Sequence, residues 1–160
     1  MKEKDLWAKI RTGTKGIGIH WTRIESRAGP GVPDVNGCYA GVEVWLELKL
    51  SRGNRVNLSE FQTNWIERRI KAGGIAWIIV LPVAQRLPEY FPAGSKPPIL
   101  LYFGTQARAL MEQGIALRPH RMLCAPYNWT EFASETFSAG HRDEISASPG
   151  PDASAPSIVA

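Results

Sequence analysis

Two carboxylates and a lysine in the first third of the chain have the types and spacing for phosphate chemistry. Asp34 follows Pro33 in a Gly-Val-Pro-Asp turn, and Glu47 and Lys49 follow it in one short segment. Carboxylate oxygens are ligands that Mg²⁺ prefers, and a bound Mg²⁺ engages substrate phosphates. A nearby ammonium group can stabilise the charge that develops during phosphodiester hydrolysis. The three residues therefore predict a metal-dependent site that hydrolyses phosphodiester bonds.

A β-strand must position Glu47 and Lys49. From Val42 to Lys49 apolar and polar residues alternate strictly, so Glu47 and Lys49 share one face and an aliphatic row occupies the other. If Asp34 lies on the neighbouring strand, all three side chains converge. The alternative is a solvated face of cross-strand charges, which is the usual environment of charged residues on a half-exposed strand.

The remaining periodicity predicts an α/β arrangement of layers. The predicted helices cover residues 3–12, 59–72 and 105–113. The predicted strands cover residues 17–25, 34–39, 42–49, 75–81 and 99–103. The segment 75–81 is apolar throughout, as expected for a strand that is buried on both faces of a sheet.

The helix predicted over residues 59–72 carries two signals. Ser59 and Gln62 have the spacing of a capping box, in which Gln62 bonds back to the start of the helix. Gln62 is also a candidate for the catalytic site, and both roles can hold at once. Helical spacing predicts one buried face, formed by Phe61, Trp65, Ile66 and Ile70.

Taken together, these segments resemble the PD-(D/E)XK nuclease superfamily, and most of all its VRR-NUC-type and phage Holliday-junction-resolvase-like endonucleases. The resemblance covers roughly residues 4–81. Its motifs are Gly31-Val32-Pro33-Asp34, Glu47-Leu48-Lys49, Leu58-Ser59-Glu60-Phe61-Gln62 and Ala72-Gly73-Gly74 before an apolar strand. It implies a restriction-endonuclease-like core of helix, three-strand meander, helix and strand, with an appended strand and helix. The nuclease-like domain is expected over residues 1–133.

The resemblance also implies the roles of individual residues. Asp34 and Glu47 would hold the metal together with the backbone carbonyl of Leu48, and Lys49 would be the catalytic lysine. Family members often place another acidic residue upstream. Glu25 is the best positional candidate, with Glu3 or Asp5 on the first helix behind it. The alternative role for Glu25 is an ion pair with Arg23 or Arg27. Mg²⁺ is the expected metal, and Mn²⁺ accepts the same oxygen ligands.

The distribution of charge is consistent with a nucleic-acid partner. The chain carries a net charge of +4, but the segment after residue 133 has four acidic residues against one arginine, so residues 1–133 carry +7. Lysine and arginine that neutralise phosphates release counterions and favour binding. The candidate DNA-binding residues are Arg27, Arg52, Arg55 and Arg68. The alternative is that the surplus of basic residues only aids solubility.

The rest of the composition bears on the C-terminal tail and on the cellular location of the protein. Residues 134–160 are rich in Ser, Ala and Pro, which predicts a disordered tail. Cys38 and Cys124 form no metal-type pair, and no apolar run approaches the length of a membrane span. We expect a cytoplasmic protein of a bacterium or a phage-infected cell, and by resemblance a homodimer, because symmetric cutting requires two active sites.

The sequence therefore predicts a Mg²⁺-dependent endodeoxyribonuclease, with branched or junction DNA as the substrate that the resemblance suggests. One alternative is a catalytically inactive PD-(D/E)XK module that binds DNA. Two carboxylates facing phosphate argue against it, since they repel the backbone of the bound nucleic acid. A second alternative, a scaffold protein, would not need the basic excess of residues 1–133.

Overall fold

The computed structural model of the protein describes residues 1–24, 29–83, 88–91, 94 and 96–138. Helices and strands are interspersed along this part of the chain. The helices are α1 (Glu3–Gly13), α2 (Glu60–Lys71), α3 (Ala107–Gln113) and α4 (Trp129–Thr136). The strands are β1 (His20–Arg23), β2 (Val35–Tyr39), β3 (Val42–Arg52), β4 (Arg55–Val56), β5 (Ile75–Pro82), β6 (Ile99–Phe103) and β7 (Arg121–Leu123).

The strands form one mixed sheet in the order β1-β2-β3-β5-β6-β7, with the short β4 paired to the end of β3. The β3–β5 pair is parallel and the other pairs are antiparallel. Parallel neighbours need a crossover connection, and α2 lies within it. The predicted α/β class is therefore confirmed, as a mixed sheet with four helices in the described part of the chain.

The central strand β3 is longer than predicted, and residues 46–49 are buried on both of its faces. Its aliphatic residues Val44, Leu46 and Leu48 are fully buried, and the polar face is covered too, with Glu47 1% and Lys49 7% exposed. The solvated charge face that was the alternative for this strand is therefore wrong. The reason is that α2 covers the polar face of β3, where Gln62 donates to Glu47 and Trp65 packs on Trp45 at 5.1 Å between ring centroids.

Helix α2 begins with the predicted capping box. The Ser59 hydroxyl accepts from the Gln62 backbone N–H at 3.2 Å, and the Gln62 side-chain oxygen accepts from the Ser59 N–H at 3.0 Å. These bonds satisfy donors that the first turn of a helix otherwise leaves unpaired. The helix gives way to a turn in which Gly73 has a φ of +87°, a conformation that favours glycine.

The predicted buried face of α2 is wrong at one position. Ile66 and Ile70 are buried, but Phe61 is 65% exposed and Thr63 is buried. Residues 63, 66 and 70 follow helical spacing. The helix is therefore rotated so that Thr63 faces the sheet and Phe61 faces solvent.

The apolar strands β5 and β6 lie where the sequence predicted them. All residues of β5 and β6 are buried, and they pair antiparallel from Trp77 opposite Phe103 to Val80 opposite Leu100. The third helix starts later than predicted, because residues Gly104–Gln106 form a 3-10 turn before α3.

The two ends of the described chain differ from the prediction. Strand β1 covers only part of the segment predicted over residues 17–25, and Glu25 lies outside the described residues. At the other end, β7 and α4 were not predicted. Helix α4 extends into the predicted tail, where Thr136 is fully buried and Phe137 is 7% exposed. The prediction that a disordered tail starts at residue 134 is therefore wrong for residues 134–137, and residues 139–160 lie outside the described part.

Helix α4 is fastened to the sheet by a hydrogen bond and by packing. The indole N–H of Trp77 donates to the Thr136 carbonyl at 3.1 Å, and the Phe132 side chain is fully buried. None of the helices in the described ranges is both long enough and apolar enough to span a bilayer.

Candidate functional site

The site lies at a gap in the edge of β3. On one side β5 pairs with β3 without a break up to Ser51. On the other side the pairing with β2 stops at Leu46, opposite Val35, and the pairing with β4 starts at Ser51. Residues 47–50 therefore have no strand partner on that side within the described chain.

Asp34 fills part of this gap. It directly precedes β2, and its Oδ2 accepts from the Leu48 backbone N–H at 2.9 Å. The carboxylate thereby replaces the missing strand as acceptor for that amide. This bond places Asp34 against the backbone directly after Glu47, as the sequence predicted for neighbouring strands.

Glu47 and Lys49 form a buried ion pair. Their side chains are 2% and 9% exposed, and the Lys49 Nζ lies 3.0 Å from the Glu47 Oε1. Burying two charges removes favourable hydration, so such pairs are weak evidence of a purely stabilising role. Their alternation on β3, which the sequence showed, is what brings the two groups to one face.

Gln62 joins this pair from α2. Its side-chain nitrogen donates to the Glu47 Oε1 at 2.6 Å, while its oxygen accepts from the Ser59 N–H. The two ends of one amide thus form the predicted helix cap and a hydrogen bond to Glu47. Because each end has a partner of fixed polarity, the amide is held in one orientation.

The second carboxylate oxygen of Glu47 is unpaired. Oε2 is buried and has no hydrogen-bond partner among the described residues. Burial of the carboxyl, followed by the nearby charge of Asp34, raises the pKa of Glu47 from its ordinary value of 4.5 to about 7. Lys49 opposes this shift of the pKa. A buried oxygen without a donor, beside a second carboxylate, fits a bound cation, which would satisfy Oε2 and favour the ionised form.

The oxygen donors for such a cation are on the same edge of β3. In a strand the N–H and C=O of one residue point to the same neighbour. Since the Leu48 N–H points to Asp34, its carbonyl also points into the gap. Glu47 and Asp34 supply the carboxylates. Among the described residues, no group of three or more His, Cys, Asp or Glu side chains is arranged to hold one metal ion.

The upstream acidic residues differ in their relation to the site. The predicted candidate Glu25 lies outside the described residues. Asp5 is engaged at the start of α1, where its Oδ2 accepts from the Lys2 N–H at 2.6 Å. Glu3 is near enough for its charge to contribute, as the weakest of the causes, to the raised pKa of Glu47.

Arg23 is a site residue that the sequence analysis did not select. Its guanidinium lies 3.6 Å from the Asp34 Oδ1. Arg23 pairs with Val35 across β1 and β2, so the register of the two strands places it beside Asp34. The sequence analysis considered Arg23 only as an alternative partner of Glu25. The register between β1 and β2, which places Arg23 beside Asp34, cannot be read from the sequence of either strand.

The predicted DNA-binding arginines divide between two surfaces. Arg52 and Arg55 lie in an open cleft of about 590 Å³ that also contains Leu50 and Asn57 and the start of the chain, Met1, Lys2 and Glu3. Arg68 instead lies in a groove along α2. Arg27 is outside the described residues. Lys2, which the sequence analysis did not select, therefore joins the basic cleft.

Gly31 sets the position of the loop before Asp34. A Cβ atom at this residue would lie 2.2 Å from the Phe61 carbonyl oxygen, and its φ is +82°. Both facts require glycine. The Gly-Val-Pro-Asp turn can therefore pack directly on the first turn of α2, which also carries Gln62.

Two comparisons with known proteins found no relative of this chain. No protein-family model matches the chain, and no curated protein has a similar sequence. A functional proposal therefore depends on the side chains described above and on the resemblance of the motifs.

Proposed function

We propose that this protein is a metal-dependent DNA endonuclease of the PD-(D/E)XK type. The observation that carries the proposal is the buried Glu47, which is held by Lys49 and Gln62 and lies beside Asp34 at the gap in β3. An ion pair that served only stability would not need a second carboxylate, nor an unsatisfied buried oxygen.

The order of elements supports the proposal. Helix α1, the antiparallel strands β1 to β3, helix α2 and the parallel strand β5 follow the order that the resemblance implies for a restriction-endonuclease-like core. Strand β6 and helix α3 correspond to the appended strand and helix. The candidate site lies where β2 stops pairing with β3, and its side chains come from β3, from the turn before β2 and from α2.

The proposed metal site consists of oxygen donors. Asp34, Glu47 and the Leu48 carbonyl would hold Mg²⁺ or Mn²⁺, with Glu3 or Glu25 as the further acidic residue. When bound, such an ion lowers the pKa of a coordinated water and stabilises charge on the phosphoryl oxygens. Asp34 is positioned for this by the Leu48 amide and by Arg23, and Glu47 by Gln62 and Lys49.

Lys49 is the proposed catalytic lysine. Its ammonium lies against Glu47 and is almost fully buried, so its charge acts in a poorly screened environment. There it can orient the attacking water or stabilise the negative charge that develops on the phosphate. Gln62 is a positioning residue, because it acts on Glu47 and is itself tied to the helix cap.

The proposed substrate is DNA. Arg52, Arg55 and Lys2 line a basic cleft that includes Glu3, whose charge also reaches Glu47. Cations near a scissile phosphate hold the backbone in register without reading sequence. By resemblance, branched or junction DNA is the proposed structural preference and a homodimer the proposed assembly.

Cleavage of a panel of linear, single-stranded, flapped and four-way-junction DNAs tests the proposal. We expect cutting with Mg²⁺ or Mn²⁺ and none in EDTA. Glu47→Gln and Lys49→Met should each reduce the rate by about 10²–10³-fold, as expected when a group that stabilises the transition state is removed. DNA binding in EDTA should persist in both variants.

Glu43→Gln is the matched control, because Glu43 lies on the same face of β3 four residues earlier and is exposed. It should cut at the native rate. Cutting that survives Glu47→Gln and Lys49→Met would refute the proposed site. Binding of DNA without cutting, with either metal, would instead favour the inactive binding module.

A further inference from the structure

One aromatic side chain beside the site is exposed without a structural reason. Phe61, the second residue of α2, is 65% exposed. In the described part of the chain Met1 and Val83 are also large, apolar and exposed, and both lie outside helices and strands. Phe61 thus differs from both, because it lies on a helix that presents its ring to solvent.

Phe61 is fixed relative to the site. It directly precedes Gln62, whose amide binds Glu47. Its own backbone carbonyl packs against Gly31 of the loop that leads to Asp34. Phe61 therefore belongs to the helix turn that carries Gln62 and that contacts the loop before Asp34.

The other aromatic rings at this helix already have partners. Trp65 packs on Trp45, and the Arg69 guanidinium lies 4.7 Å and 5.0 Å from their respective ring centroids. This cation–π arrangement covers both rings. Phe61 takes no part in it and presents its ring to solvent.

Phe61 lies in an open groove of about 690 Å³ along α2. The groove is lined by Pro30, Phe61, Asn64, Glu67, Arg68 and Lys71. Arg68 is about 10 Å from Phe61 along the helix axis, and Lys71 is one turn further. At about 3.4 Å per nucleotide of one strand, roughly three nucleotides reach from Phe61 to Arg68 and roughly four to five reach to Lys71.

The charge of this groove favours a polyanion. Its acidic residue Glu67 lies 2.8 Å from Arg108, which also lies 3.3 Å from Glu60. Arg68 and Lys71 are exposed and have no acidic partner within the described ranges. Arg68 donates through Nε to the Asn64 carbonyl at 3.4 Å, so it retains donors for a ligand. The groove therefore offers an aromatic ring at one end and two cations without an acidic partner at the other.

We propose that Phe61 stacks on an unpaired base of the nucleic acid while Arg68 and Lys71 bind the same strand's phosphates. This inference rests on the proposed nuclease function and specifies its substrate class. The faces of paired bases inside a duplex are covered by their neighbours, whereas single-stranded and flipped bases can stack on a side chain. The enzyme would then select DNA that has unpaired bases next to the cut, such as flaps, junction openings and single strands.

The test measures binding in EDTA, so that it does not depend on cutting. A single-stranded oligonucleotide that contains 2-aminopurine is compared with a blunt duplex of the same sequence, by anisotropy for affinity and by quenching for stacking. Phe61→Ala and Phe61→Leu should weaken single-strand binding about 5- to 100-fold, the range for loss of one stacked base. Duplex binding should change less than about twofold, because no paired base reaches the ring.

Phe61→Trp is the rescue variant, and Phe61→Leu is the control that keeps the apolar surface without the ring. Tryptophan should restore affinity and quenching, and leucine should not. Equal losses on single strand and duplex, or no loss on either, would overturn the inference. A change from dimer to monomer on Phe61→Ala, measured by light scattering, would instead assign the ring to an interface between two copies.

The two proposals fail separately. If Glu47→Gln and Lys49→Met abolish cutting while Phe61→Ala leaves single-strand binding intact, only the stacking inference is wrong. If the native protein binds single strands through Phe61 but cuts no DNA, only the nuclease proposal is wrong. A native protein that binds neither oligonucleotide and cuts no DNA with Mg²⁺ or Mn²⁺ would refute both.

Discussion

At the scale of single residues, Glu47 is where burial, charge and hydrogen bonding conflict. One carboxylate oxygen has two donors, from Lys49 and Gln62, and the other has none among the described residues. Buried polar atoms in folded proteins nearly always have a partner, so an exception needs an explanation, and a bound ion beside two carboxylates supplies one. In the protein without metal, this conflict should make stability depend on pH.

Glu47 should destabilise the metal-free protein as pH rises. Between pH 4.5 and about 7 the folded protein keeps a proton on Glu47 that the unfolded chain has released, because the pKa is raised from 4.5 to about 7. The folded state then binds more protons than the unfolded state, so the free energy of unfolding falls with increasing pH in this window. The contribution is fully present below pH 4.5 and is lost as pH passes about 7. Urea unfolding in EDTA at pH 5 and pH 8 measures it.

Two variants isolate this effect from that of other titrating groups. Glu47→Gln should remove the decline between pH 5 and pH 8, and the exposed Glu43→Gln should keep it. A Glu47→Gln protein whose stability falls as steeply as that of the native protein would show that another group is responsible.

At the scale of elements, the candidate site depends on the contact between a loop and a helix. Gly31 lets the Gly-Val-Pro-Asp turn lie against the first turn of α2, and the capping box orients Gln62 in that same turn. Asp34 and Gln62 therefore approach Glu47 from two elements that are packed on each other.

Gly31→Ala should disturb this contact. The added Cβ would lie 2.2 Å from a backbone oxygen, and the positive φ of +82° adds strain. We expect a loss of about 1–3 kcal/mol in the free energy of unfolding. Cleavage should also fall, because the loop before Asp34 must move. Denaturant unfolding and the cleavage assay measure the two effects.

Gly29→Ala is the control for backbone strain alone. Gly29 has a φ of +116° in the same loop, but a Cβ there would meet nothing within 4 Å. It should therefore lose less stability and less activity than Gly31→Ala. Equal effects of the two substitutions would mean that the close approach to α2 is unimportant.

At the scale of the whole molecule, the C-terminal helix belongs to the core. Phe132 and Thr136 are fully buried, and Trp77 of the central sheet donates to the Thr136 carbonyl. Phe137 packs against Trp21 and Tyr39, with ring centroids 5.7 Å apart in both pairs. The last helix therefore covers the β1–β2 end of the sheet as well as β5.

Shortening the chain should reveal this contribution. A protein that ends after residue 133 loses Thr136 and Phe137, and burial of one phenylalanine is worth about 1.5–3 kcal/mol. A protein that ends after residue 138 keeps both and is the matched control. We expect the free energy of unfolding of the shorter chain to be lower than that of the control by at least this amount. Its urea midpoint should be lower as well. Identical midpoints would show that α4 contributes little to the fold.

Local features of the sequence were enough to predict several elements and to select the residues that lie together in the candidate site. The alternation in β3, the capping box of α2 and the apolar run of β5 depend on near neighbours in the chain, so they are visible without a fold. For the same reason Glu47 and Lys49 could be placed on one face, and Asp34 could be expected next to them.

The tertiary structure decided the rest, because it depends on contacts between distant segments. The strand register put Arg23 beside Asp34, and the rotation of α2 buried Thr63 and exposed Phe61. The burial that raises the pKa of Glu47 likewise depends on a helix packed over a central strand. None of these can be deduced from spacing along the chain, since periodicity defines the faces of an element but not what covers them.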